Sequence, residues 1–129
     1  MSEKANVALV AHDGMKAMML EWVAERKERL GRLTLFATGT TGAKLSEALG
    51  LDITCLKSGP LGGDAQLGAM IAEGRLDALI FFIDPLSALP HDVDVKSLLR
   101  LAVHYNTALA LNEQSADAIL DWLSKDNGG

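Results

Sequence analysis

Residues 6–14 read Asn-Val-Ala-Leu-Val-Ala-His-Asp-Gly, a predicted strand over Asn6–Ala11 that leads into an imidazole, a carboxylate and a glycine. Immediately afterwards the apolar period changes. Met15, Met18, Met19, Trp22 and Val23 recur at helical spacing, while Lys16, Glu21, Arg26 and Lys27 lie elsewhere around the same helix. A strand apolar on both faces, followed by a helix with one apolar face, is the opening unit of a parallel sheet with crossover helices. The alternation continues outward. Further strands are predicted at Leu33–Ala37, Ile53–Leu56, Ala78–Ile83 and Thr107–Leu111. Between and after them, helical stripes run through Leu67, Met70 and Ile71, through Val95, Leu98, Leu99, Ala102 and Val103, and through Ile119, Leu120 and Leu123. Gly50 and Gly74 follow helical segments as stop signals, and Ser115 stands where the N-cap of the last helix is expected. The Met and Trp residues are assigned to the core.

These elements predict an α/β, single-domain three-layer sandwich with a five-stranded parallel sheet, doubly wound and Rossmann-like, over residues 1–129. The composition supports a folded chain, with 49% hydrophobic and 22% charged residues. Twelve Lys and Arg against 17 Asp and Glu give a net charge of −5, which speaks against a nucleic-acid surface. An anionic ligand must then be held locally. No apolar run approaches the roughly 18 residues that cross a bilayer, and the polar start predicts no secretory signal. A cytoplasmic protein that contacts no membrane is expected. Cys55, the one cysteine, cannot form an intramolecular disulfide, and its apolar run suggests a buried thiol without a catalytic role.

In an open parallel sheet ligands bind beyond the carboxyl ends of the strands, and there the polar residues collect. The first strand leads to His12-Asp13-Gly14, the second to Thr38-Gly39-Thr40-Thr41-Gly42, the third to Ser58 and Gly59 and then Gly62-Gly63-Asp64, and the fourth to Asp84 and then His91-Asp92. The threonine segment offers hydroxyls and unhindered N–H groups before a helix. It suits a phosphate, although a turn with Thr41 as N-cap is the alternative. It lacks the spacing of a Walker A loop, and no strand ends in a dinucleotide-binding glycine fingerprint. Lys16 is placed to add positive charge. Asp64 is either an N-cap carboxylate or a general base, and His91 either a loop residue or a proton shuttle. Asp84, Asp92 and Asp94 add carboxylates to the same edge, with Asp92 or Asp94 a candidate cap for the following helix. His104 is treated as structural. The His and Asp residues match no established metal-site spacing, so no metal is expected. A phosphoacceptor receiver domain is excluded, because Ser58 and Asn112 stand near the places that would need an acid and a lysine.

Four ordered segments, LVAHDGMK from Leu9, ATGTTG from Ala37, KSGPLGGDAQLGA from Lys57 and LIFFIDPLSALPHDVDVKSLLRLA from Leu79, resemble the methylglyoxal synthase family. The likeness runs from Val7 to about Ala102, with a weaker match at Ala116-Asp117. It implies a cofactor-free lyase that eliminates phosphate from dihydroxyacetone phosphate, with inorganic phosphate as product and inhibitor and a homohexameric assembly. It also implies Asp64 as base, His91 as electrophile and proton shuttle, and Asp13 and Asp94 as carboxylates that orient or tune them. His12, Lys16, Thr38, Gly39, Thr40, Thr41, Ser58, Gly59 and His91 would hold the substrate. Longer members carry basic residues in a C-terminal extension that can approach a neighbouring subunit's site. The same fold also serves as a non-catalytic phosphate- or effector-binding regulatory module, the alternative that retention of Asp64, His91, Asp13 and Asp94 argues against.

Overall fold

The computed structural model describes residues 4–58, 61–86 and 95–128, with side chains described up to residue 124. Five strands, β1 (Asn6–Ala11), β2 (Thr34–Thr38), β3 (Ile53–Leu56), β4 (Ala78–Phe82) and β5 (Ala108–Ala110), form one sheet in the order β3-β2-β1-β4-β5. Every pairing is parallel. The helices are α1 (Lys16–Glu25), α2 (Lys27–Leu30), α3 (Gly39–Leu49), α4 (Gly63–Ala72), α5 (Val95–His104) and α6 (Glu113–Gly128). A short 3₁₀ turn, Asp13–Met15, leads into α1.

Alternate residues of a strand point to opposite faces, so a strand covered twice must be apolar throughout. In β1, Val7, Leu9 and Ala11 join Met19, Trp22, Val23, Leu45, Ile119, Leu120 and Leu123 from α1, α3 and α6. Ala8 and Val10 join Leu67, Met70, Ile71 and Leu98 from α4 and α5 on the other face. β4 divides in the same way, with Ile80 and Phe82 on the first face and Leu79 and Phe81 on the second. The sheet grows outward from β1 in both directions. Because parallel crossovers are right-handed, growth in opposite directions puts the connecting helices on opposite faces. The order reverses between β1 and β4, which makes their carboxyl ends the switch point where ligands bind in this class of sheet.

The predicted elements are present with boundaries displaced by a residue or so. Thr38 belongs to β2 because it still pairs with Leu56. Gly50 and Gly74 end helices in the left-handed conformation, as expected. The last helix is capped by Asn112, whose Oδ1 accepts the N–H of Ser115 at 3.0 Å, so Ser115 sits inside the first turn. The threonine segment is no loop. Helix α3 begins at Gly39, directly after the strand, and its N-cap is Thr38 instead of Thr41.

Three core assignments are overturned. Cys55 is exposed, because β3 is an edge strand and its outer residues lack a second cover. Trp122 is half exposed, one position off the buried Ile119, Leu120 and Leu123 stripe, and lines a cavity of ≈ 420 Å³ beside β5. Val103 is 77% exposed: the buried face of α5 centres on Leu98 and Ala102, with Leu101 on its margin. Among the described residues no helix is long and apolar enough to cross a membrane.

Helices α1 and α6 are joined by a polar clamp. The Asp117 carboxylate accepts from Trp22 Nε1 at 3.1 Å and from Arg26 Nε and Nη2 at 2.5 and 3.1 Å. The guanidinium also stacks 4.9 Å from the Trp22 ring centroid. Removing the shared acceptor leaves a half-buried cation and a buried indole donor without it. Asp117→Ala is therefore expected to cost about 1–3 kcal/mol in urea unfolding. Arg26→Lys should also destabilise, since an ammonium replaces neither the two-pronged bond nor the stack; unchanged midpoints for both would show that the clamp carries no stability.

Candidate active site

With all strands parallel, the residues after β1, β2, β3 and β4 emerge on one rim. His12 extends β1 by donating its N–H to Phe82 O at 3.2 Å, which keeps the two central strands together past their ends. Its ring is buried against Phe81, edge to face at 5.2 Å. The backbone N–H of Asp84 donates to His12 Nδ1 at 2.9 Å. As an acceptor Nδ1 carries no proton, so the ring's proton is on Nε2. One hydrogen bond across the switch point thus fixes both the orientation and the tautomer of the imidazole.

Asp13 lies in the 3₁₀ turn and is largely exposed. Lys16 Nζ stands 2.9 Å from Asp13 Oδ1 and donates to Thr40 Oγ1 at 2.6 Å, so a single ammonium joins the β1 and β2 ends of the rim. Its hydrogen bond to Asp13, reinforced by its charge, holds that carboxyl below the ordinary 3.8. Thr40 and Thr41 lie in the first turn of α3, where Thr41 is buried and Thr40 exposed. That turn contains no acidic side chain, so the positive end of this helix is not neutralised from within.

The β2 and β3 ends approach closely enough to require glycine. A Cβ on Gly39, whose φ is +41°, would lie 2.9 Å from Cα and Cβ of Ser58. The Ser58 carbonyl accepts the N–H groups of Leu61 and Gly63 at 3.0 and 2.9 Å. A Cβ on Gly63 would collide with Lys57 O. Ser58 is therefore wedged between the starts of α3 and α4. Asp64 follows in the first turn of α4; it is not the cap, since Gly62 holds that position with φ +112°. Half-buried, Asp64 lines a cavity of ≈ 380 Å³ between α4 and α5, with Gly68, Ser97, Leu98 and Leu101 among its neighbours.

The described residues thus bring His12, Asp13, Lys16, Thr38, Gly39, Thr40, Thr41, Ser58 and Asp64 to the ends of neighbouring strands. Gly59, His91, Asp92 and Asp94 lie outside the described residues. Asp84 has a larger part than the sequence assigned it. Besides holding His12 through its backbone, its Oδ1 accepts the Leu86 N–H at 3.0 Å, and its Oδ2 fills the space that a side chain on Gly14 would take. The signal was available: an acid follows the strand that adjoins β1, but adjacency of β1 and β4 is a matter of topology. His104 is exposed at the end of α5 and stacks edge to face on Tyr105 at 4.7 Å.

Fold and rim together define a doubly wound α/β protein with an acid-free helix start beside an imidazole and carboxylates at the sheet's switch point. Residues 18–111 match the MGS-like domain. The chain is 57% identical over 116 residues to a methylglyoxal synthase of Vibrio cholerae, covering 90% of this chain and 77% of that one. It is 55% identical over 115 residues to a methylglyoxal synthase of Erwinia tasmaniensis, covering 89% and 76%. The crystal structure of methylglyoxal synthase from Elizabethkingia anophelis superposes with a TM-score of 0.88 at 48% identity, covering 93% of this chain and 79% of that one. The chain belongs to the methylglyoxal synthase family. It is accordingly an enzyme of the lyase class, and the reading as a purely regulatory module is set aside.

Two outcomes follow from the rim's geometry. Because Asp13 titrates lower in the folded chain than in the unfolded one, the stability its pair with Lys16 adds is fully present above pH 3.8 and is lost as pH falls through the lower folded value. Lys16→Met should return the carboxyl towards 3.8 in a carbon-detected NMR titration; an unmoved value would show that the pair does not persist in solution. Gly63→Ala must displace the Lys57 and Ser58 backbone, so a loss of about 1–3 kcal/mol is expected in thermal or urea unfolding, and a native-like midpoint would contradict the close approach.

Proposed function

We propose that the chain converts dihydroxyacetone phosphate to methylglyoxal and inorganic phosphate, with residues 1–129 acting as one domain. The observation that carries the reading is the link from Lys16 to Thr40 at the acid-free start of α3, with Asp64 at the head of α4 one wedged serine away. The substrate's phosphate is assigned to Lys16, Thr38, Gly39, Thr40, Thr41, Ser58 and Gly59, where helix amides, hydroxyls and one ammonium supply donors. His12 lines the carbonyl side and donates from Nε2. Asp64 takes a proton from the hydroxymethyl carbon next to the carbonyl, and His91 donates to the oxygen on which the enediolate charge develops. Asp13 and Asp94 orient or tune these groups.

The enediolate then expels phosphate by breaking the bridging C–O bond, which leaves the enol of methylglyoxal to take a proton at its terminal carbon. That bond breaks readily only when it stands out of the enediolate plane, so a cradle that fixes the phosphate also directs the outcome. Inorganic phosphate, the product, fits the same cradle and inhibits. Homohexameric assembly and a cytoplasmic location belong to the same reading; exposed Leu61, Val103 and Trp122 supply apolar surface for subunit contacts.

The deciding measurement is aldehyde formation from dihydroxyacetone phosphate by the purified protein without added metal. Asp64→Asn should lower turnover by about 10²-fold or more, the usual contribution of a positioned base, with the fold retained by circular dichroism. Absence of methylglyoxal from the native protein would overturn the reading, and full turnover by Asp64→Asn would overturn the assignment of the base.

A further inference from the structure

The contact between Lys16 and Asp13 sits inside the cradle just described, and the inference drawn from it rests on that phosphate-binding reading. The ammonium has three donors. One is directed to Thr40 Oγ1 at 2.6 Å and another to Asp13 Oδ1 at 2.9 Å. An anion that docks on Thr40 and the first amides of α3 comes up beside this same ammonium. It must share Lys16 with Asp13 or take it over, and two anions around one cation repel each other. Lys44 also bears on Asp13, favouring its charged form but with less effect than Lys16. It offers the carboxylate only a weak substitute once Lys16 turns to a phosphate.

We propose that Asp13 is an internal counter-anion of the phosphate cradle, which occupies Lys16 in the unliganded protein and thereby weakens the hold on both inorganic phosphate and the substrate's phosphate group. Asp13 acts through Lys16, so it is a positioning residue whose removal tightens binding. The expectation runs against the usual result of deleting a site residue. It also gives the enzyme a means of product release, since the carboxylate reclaims the ammonium as phosphate leaves. The lysine side chain is 23% exposed and the aspartate 76%, so the competition is moderate.

The test is calorimetric titration of the full chain with inorganic phosphate at low salt and pH 8. Asp13→Asn is expected to lower Kd by about two- to fivefold, the range that an exposed ion pair supports. Asp13→Ser should do the same, which separates loss of charge from any hydrogen bond made by the new amide. In a Lys16→Met background the change at Asp13 should alter Kd by less than about twofold, because the competitor then has no cation to hold. Turnover should show KM for the triose phosphate falling with phosphate Kd. Equal or weaker phosphate binding by both single variants, or equal tightening with and without Lys16, would overturn the proposal. Methylglyoxal formation without tightening leaves the enzymatic reading standing and removes this one; tightening in a protein that makes no methylglyoxal does the reverse.

Discussion

The site exists because β1 and β4 run parallel side by side although most of the chain's first half lies between them. Both are covered by helices on two faces, and the burial of Val7, Leu9, Ile80 and Phe82 against one layer and Val10, Leu79 and Phe81 against the other fixes their register. A slip of one residue would exchange the two apolar sets between layers built to different shapes. With the register fixed at Ala11 against Phe82, Asp84 is carried one residue further past the sheet than His12, which brings its N–H to the imidazole Nδ1. Orientation of the imidazole is thus a consequence of how the two central strands pack in the core.

The rim is crowded by backbone, and glycine makes the crowding possible. Gly39 and Gly63 let the ends of β2 and β3 and the starts of α3 and α4 meet around Ser58 with no side chain between them. The result is a short path, along Ser58, from the hydroxyls and amides of α3 to the carboxylate heading α4. Gly14 acts differently: its missing Cβ leaves room for a flexible carboxylate, that of Asp84, so a larger residue there would meet a movable atom instead of backbone. The two situations carry different costs, since displaced backbone propagates and a displaced carboxylate turns aside.

Much of this was legible in the sequence, for reasons that individual residues make plain. Period and punctuation located the strands and the buried faces of Met19, Trp22, Leu67 and Ile119, because double burial leaves a continuous apolar run and single burial a helical stripe. What failed depended on sheet order. Cys55 looked like core because its run is apolar, yet its strand is at an edge; Val103 continues a stripe that rotates off the sheet, and Trp122 was assigned to the core by residue type although it stands beside its helix's stripe. The threonine segment looked like a loop because it holds two glycines and three threonines, whereas the helix starts at once from a glycine with positive φ. Asp84 was visible as a residue but not as the partner of His12, since strand order, and not spacing, joins them.

The helix ends on the rim divide their electrostatic work. Helix α4 brings an acid in its own first turn, Asp64, so its dipole favours a negative charge that the chain itself supplies. Helix α3 brings none, and its positive end is met from outside by Lys16. One helix end on the rim is thus matched by a negative charge of its own and the other is not. Asp13 reaches the lysine, which in turn reaches Thr40, so one cation stands between the carboxylate and the start of α3. Net charge and geometry then agree: in a chain at −5, the donors of Lys16 and Thr40 gather at a helix start that brings no acid of its own, with Asp13 as the nearest counter-charge to that lysine.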